Sequence, residues 1–170
     1  MSTFTALGLD PGGKTGWAAY QATHMYGLEG QDEWYDEKWT CGQLEEEDHS
    51  GHLEHILGQF HTEEYHIICE AFTDRPGKFG AKKSEAPKYI DVVKFFVRDR
   101  NQTLPDDRTI YLHMQEAGQA KPFVKDASIK KLGLWFPGKK HAMDAYRHLL
   151  FWLVNGPFDR ADILMKGWKF

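Results

Sequence analysis

The sequence predicts a single α/β domain over residues 1–170, with a five-stranded mixed sheet and helices on both faces. Three observations carry that reading. Short apolar strand patterns open the chain, segments with apolar residues at helical spacing follow, and strand and helix patterns then alternate. The alternation brings a later strand in parallel beside the first through a crossover. The chain has 170 residues, 41% of them apolar and 27% charged, and a mean hydropathy of −0.59. That is enough chain to bury one core and too little for a second full domain.

Thr5–Asp10 (TALGLD) is a short apolar strand, and after the turn Pro11-Gly12-Gly13 the pattern resumes in Gly16–Tyr20 (GWAAY), which makes a β-hairpin. Glu37–Leu44 (EKWTCGQL) is the third strand, and polar Gly27–Asp36 before it reads as a long hairpin loop or insertion. Glu45–Phe60 carries Leu53, Ile56, Leu57 and Phe60 at helical spacing. Its Glu45, Glu46, Glu47 and Asp48 stand where the positive end of the helix dipole favours acids. Tyr65–Phe72 (YHIICEAF) is a buried strand whose apolar run ends at Glu70.

Thr73–Ala86 is a basic loop punctuated by Gly and Pro, and a helix from about Ser84 to Arg100 lines up Tyr89, Ile90, Val93, Phe96 and Val97 on one face. Thr109–Gln115 (TIYLHMQ) is the fifth strand. Lys121–Trp135 holds a helical turn around Ser128–Leu132, and His141–Val154 (HAMDAYRHLLFWLV) is an apolar final helix. On that helix Leu149, Leu150, Trp152 and Leu153 are core or a dimer seam.

Composition narrows the function. The longest apolar run, Leu149–Val154, is far short of the roughly 20 residues of a membrane span. The N-terminus lacks the basic flank and apolar core of a signal peptide, so a cytoplasmic location is expected, that of the bacterial host if a phage encodes the chain. Cys41 and Cys69 are in no CxxC arrangement and read as small buried hydrophobes. Residues 1–64 hold two basic and 13 acidic side chains, whereas residues 75–140 hold 15 basic and seven acidic ones. In the basic stretch Phe79, Tyr89, Phe95, Phe96 and Trp135 are interleaved, the composition of a surface that follows phosphates.

Gly8–Thr15 (GLDPGGKT) matches the phosphate-loop pattern G-x-x-x-x-G-K-[ST], so an NTPase that depends on Lys14 is one alternative. That chemistry needs Lys and Thr to open a helix whose N–H groups hold phosphate. Here Gly16-Trp17-Ala18-Ala19-Tyr20 follows and reads as a strand. His49, His52 and His55 recur every third residue, which drifts around a helix, and they are expected to be exposed.

Asp10 ends the first strand, Glu70 ends the fourth, and His141 and Asp144 share a face of the last helix at i and i+3. If strand four lies parallel beside strand one, three carboxylates and an imidazole converge. Such a cluster repels itself without cations. Two Mg²⁺ ions about 3.5–4 Å apart would neutralise it, activate a water and stabilise the leaving 3′ oxygen of a phosphodiester.

LGLDPGGKTGWA, IICEAF and KKHAMDAYRHLL together resemble, in order and separation, the three motifs of the RuvC-type Holliday junction resolvases of the RNase H-like superfamily. GLW followed by HAMDAYRH looks most like members from phages and their hosts. The resemblance covers almost the whole chain and implies an RNase H-like fold, a homodimer, and cleavage of four-way junctions. By position it implies that Asp10, Glu70 and Asp144 bind the metals. His141 stands where many members have aspartate, which leaves it as a metal ligand that tilts preference toward Mn²⁺, a proton shuttle or a phosphate contact. The loop after Glu70, with Arg75, Lys78, Phe79, Lys82 and Lys83, looks like the element that enters the junction centre. There Phe79 either stacks on a base or anchors the loop. Lys121 and Lys125 match basic positions near the scissile strand. Two further alternatives stand beside the resolvase: a broader flap or fork nuclease, and an inactive branched-DNA-binding protein.

Overall fold

The structure, a computed structural model, describes residues 2–25, 33–44, 49–60, 62–72, 85–105, 108–158 and 160–166. Strands β1 (Ser2–Asp10), β2 (Thr15–Met25), β3 (Glu33–Leu44), β4 (Glu64–Ala71) and β5 (Thr109–Glu116) form one sheet in the order β3-β2-β1-β4-β5. β1 and β3 are antiparallel to β2, whereas β4 is parallel to both β1 and β5. This is a mixed five-stranded sheet with helices on both faces, the α/β class the sequence predicts.

Side-chain alternation along the strands sends residues to two different cores. Leu7, Leu9, Ile67, Cys69 and Ile110 face helices α1 (His49–Gly58) and α2 (Ala86–Thr103), meeting Leu53, Ile56 and Leu57 of the first and Tyr89, Ile90 and Val93 of the second. Phe4, Ala6, Ala18, Tyr20 and Ile68 face α5 (Lys140–Asn155), with α3 (Ala117–Phe123), α4 (Asp126–Lys131) and α6 (Ala161–Lys166) around it. Leu149, Leu150, Trp152 and Leu153 are all buried in this second core, which settles them as core. No helix of the described residues is long and apolar enough to cross a membrane.

Several boundaries differ from the sequence expectation. β3 begins at Glu33, so Glu33–Asp36 is strand and not loop, pairing Trp34 with His24 and Tyr35 with Thr23. The cause is tertiary: the Trp34 ring stacks on His24 at 4.3 Å and meets Phe4 at 5.4 Å, and the Arg160 guanidinium lies over it at 4.3 Å. A register shift between Gln21 and Thr23, with Asp36 at φ 52°, absorbs the irregularity as a bulge would. The helical turn expected around Ser128–Leu132 is α4, which begins two residues earlier, whereas α3 and α6 have no counterpart in the sequence reading because each is too short to show a helical period. Cys41 and His52 are half-buried, the first not fully inside and the second not exposed as expected.

The separation between α5 and the sheet is set by two glycines. A Cβ on Gly16 would collide with the His141 carbonyl, and one on Gly8 would meet the Ala145 carbonyl oxygen and, at 2.9 Å, Leu149 Cβ. With hydrogen in place of Cβ, the helix lies directly on β1 and β2. Gly16→Ala is therefore expected to cost about 1–3 kcal/mol through overpacking. In contrast, Gly58→Ala, with nothing within 4 Å of the added atom, should leave stability unchanged or slightly raised. Urea denaturation of the two variants checks this.

Candidate active site

The alternation that sends Ala6 and Ile68 toward α5 also sends Gly8, Asp10 and Glu70 there. Leu9 pairs with Cys69 in the parallel β1–β4 ladder, so Asp10 and Glu70 follow side by side at the carboxyl ends of adjacent strands. Glu70 is in turn registered with Gln115 on β5. From above, α5 lays His141, Asp144 and His148 against these strand ends, at i, i+3 and i+7 on one helix face.

The contacts are direct. His141 Nδ1 is 2.8 Å from Asp10 Oδ2, and the Asp10 and Glu70 carboxyls share a hydrogen bond. His148 Nε2 is 3.1 Å from Glu70 Oε2, while His148 Nδ1 donates to Gln115 Oε1. One ligand atom each from Asp10, Glu70 and His148 lies within 4.8 Å of the other two. Asp144 is held differently: Lys121 Nζ donates to its Oδ2 at 3.1 Å, and Arg147 bridges its Oδ1 to Asp126.

Burial concentrates the electrostatics. Asp10 and Asp144 are 6% and 5% exposed, and His148 is fully enclosed. Burial, the hydrogen bond and repulsion from Glu70, and the charge of Asp144 push the Asp10 carboxyl far above the usual carboxylate range, against the pull of Lys121. Burial acts upward on Glu70 too, but the His148 imidazole, the bond from Asp10 and the Lys121 charge outweigh it and hold Glu70 low. The pair therefore shares one proton, and Lys121 remains an ammonium because its bond to Asp144 and the acidic charge around it outweigh its own desolvation.

A divalent cation suits this donor set. Two carboxylates and a buried imidazole nitrogen turn acceptor atoms toward one another, and a proton and two basic side chains now offset their charge. The four residues named from sequence, Asp10, Glu70, His141 and Asp144, all lie at this end of the sheet. His148, Gln115 and Arg147 were missed. His148 had a signal, a polar residue one turn beyond Asp144 at the head of the run LLFWLV.

Gly8–Thr15 does not form a phosphate loop. Thr15 opens β2, antiparallel to β1, and no helix follows Lys14. The NTPase alternative loses its structural basis.

Beside Asp144 a groove of about 670 Å³ runs between α3, α4 and the start of α5. Lys121, Lys125, Lys139, Lys140 and Arg147 line it against two acids, Asp126 and Asp144, and Trp135 and Phe136 give it an aromatic wall. Phe136 is 55% exposed, and Lys130 Nζ sits 4.5 Å from the centre of the Trp135 ring. Lys121 and Lys125 both line this groove. Arg75, Lys78, Phe79, Lys82 and Lys83 lie outside the described residues.

No family model matches the chain, and no curated protein sequence does. Solved structures similar to it include Thermus thermophilus RuvC in complex with a Holliday junction substrate, at 12% identity and a TM-score of 0.45, covering 87% of this chain and 91% of that one. The T. thermophilus RuvC structure reported separately matches at the same identity and TM-score, over 86% and 92% of the two chains.

A carboxyl pushed up in the folded protein binds a proton that the unfolded chain would release, so it lowers stability as pH rises from about 4. In chelator, Asp10→Asn is expected to melt above wild type at pH 8, with the difference shrinking toward pH 4. Thermal melts across that range check it, and a gap that widens toward acid contradicts the protonation assigned to Asp10.

Proposed function

We propose that this protein is a metal-dependent endonuclease that hydrolyses phosphodiester bonds in branched DNA, and in particular a Holliday junction resolvase acting as a homodimer. The observation that carries the proposal is the meeting of Asp10, Glu70 and His148 at the ends of two parallel strands, with Asp144 beside them at the mouth of a basic groove. The resemblance of the three sequence motifs to junction resolvases favours that reading, and a broader flap or fork nuclease would use the same residues.

Asp10, Glu70 and Asp144 would hold divalent cations, Mg²⁺ or Mn²⁺. Bound there, the ions supply an activated water and charge stabilisation of the leaving 3′ oxygen. The chain's own residues do the rest. Lys121, between the acids and the groove, places an ammonium where a scissile phosphate enters, and it gives up Asp144 as it does so. Arg147 holds the other Asp144 oxygen and keeps that carboxylate pointed at the site. His141, 38% exposed at the rim and bonded to Asp10, can reach a ligand or a phosphate oxygen. Lys125, Lys139 and Lys140 follow the backbone as a sequence-independent electrostatic track. Phe136 offers a face on which an unpaired base stacks. A two-fold dimer would deliver the paired nicks that a symmetric junction requires.

The test is cleavage of labelled four-way junction, flap and linear duplex by wild type and Asp144→Asn with Mg²⁺, Mn²⁺ or EDTA. Cation-dependent cutting of branched DNA, lost in the variant while binding persists, is expected; symmetric paired nicks would identify the resolvase. Binding without cutting under every ion would leave a branched-DNA-binding protein. Phe136→Ala should weaken binding of branched DNA by about 1–3 kcal/mol, the worth of one stacked base, and linear duplex much less.

A further inference from the structure

We propose that His148 is itself a metal ligand, its Nε2 completing with Asp10 and Glu70 a mixed nitrogen and oxygen site that prefers a first-row transition ion such as Mn²⁺ or Co²⁺ to Mg²⁺. The inference rests on reading the acidic cluster as a cation site and assigns to it a residue one helical turn beyond Asp144.

The argument begins at the far side of the ring. His148 Nδ1 is bonded to the Gln115 amide oxygen, which can only accept, so Nδ1 carries the proton and Nε2 presents a lone pair. Gln115 is 7% exposed and registered opposite Glu70 on the neighbouring strand, so its oxygen is fixed by the sheet. A carbonyl that orients the remote nitrogen of an imidazole is the usual support of a metal-bound histidine. At the near side, Nε2 is wholly buried and has no hydrogen-bond partner among the described residues. Glu70 Oε2 is 3.1 Å away, close enough to pair only with a proton that the Gln115 bond places on Nδ1 instead.

A buried nitrogen left without a partner costs stability, on the order of 1–3 kcal/mol. A histidine serving only as core would satisfy both nitrogens or be replaced by an apolar residue, as its neighbours Leu149 and Leu150 are. Here the orphan nitrogen points into two carboxylates whose ligand atoms lie within 4.8 Å of it and of each other, and a cation among them would satisfy all three. The chemistry of the set then chooses the ion. Mg²⁺ favours oxygen and holds its waters, whereas imidazole binds later first-row divalent ions more strongly. His141 does not compete for this role, because it sits at the rim and its Nδ1 is engaged by Asp10.

The experiment loads the chelator-stripped full chain with Mn²⁺ and reads ligated imidazole nitrogen by pulsed EPR, in wild type, His141→Asn and His148→Gln. The nitrogen coupling is expected in wild type, retained in His141→Asn and lost in His148→Gln. The last substitution should also weaken Mn²⁺ binding on the order of tenfold while changing Mg²⁺ binding far less. Coupling lost in His141→Asn, or Mn²⁺ held by oxygen alone in wild type, overturns the proposal, as does failure to bind Mn²⁺. Should His148→Gln fail to fold, His141→Asn decides alone, since it leaves His148 intact. Junction cleavage by the same Mn²⁺-loaded protein separates the two readings: nitrogen-bound Mn²⁺ without cutting keeps His148 as ligand and removes the nuclease, and cutting with an oxygen-only site does the reverse.

Discussion

The direct contact of α5 with β1 and β2 is the constraint on which the rest of this structure depends. The helix can lie there because Gly8 and Gly16 offer no Cβ to its backbone at Ala145 and His141. A methyl group at either position would lift the helix by a fraction of its own radius, and in a close-packed interior that displacement is not absorbed locally. What depends on the contact is the site: His141, Asp144 and His148 are carried by the helix, Asp10 and Glu70 by the strands. Contacts of 2.8 Å and 3.1 Å across that seam leave no room for a looser packing.

The seam brings together groups that would not choose each other's company in a dry interior. Two carboxyls at the strand ends share a proton, and a third is held by Lys121 and Arg147. Burying charge without compensation is costly, so each negative group carries its own counterweight. Those counterweights are also what a catalytic site must exchange for substrate and ions. Lys121 and Arg147 line the groove next to Asp144, so the cations that quiet the free protein are the ones an incoming phosphate would meet first.

The long-range charge pattern agrees with this local one. Glu33, Asp36 and Glu37 lie on β3, the edge of the sheet opposite β5, while the basic residues of α3, α4 and the start of α5 gather at the groove. Such a division would repel a polyanion on one side and draw it in on the other, which is how the proposed nuclease, at net charge −4, would still meet nucleic acid.

By itself the sequence determined whatever follows from period and punctuation. Alternation and the turn Pro11-Gly12-Gly13 announced the opening hairpin, helical spacing announced α1, α2 and α5, and the breaks in apolar pattern at Asp10, Glu70 and His141–Asp144 marked residues that now lie at one end of the sheet. Such signals are local and survive without knowledge of neighbours. Tertiary structure decided what depends on a partner distant in sequence. Glu33–Asp36 is strand because Trp34 packs on His24 and Phe4, and α3 and α6 are too short to declare a period. His148 looked like one polar residue in an apolar helix until the sheet register set Glu70 on one side of its ring and Gln115 on the other. An imidazole's part is set by what stands at each of its two nitrogens, and only the folded chain brings those groups to it.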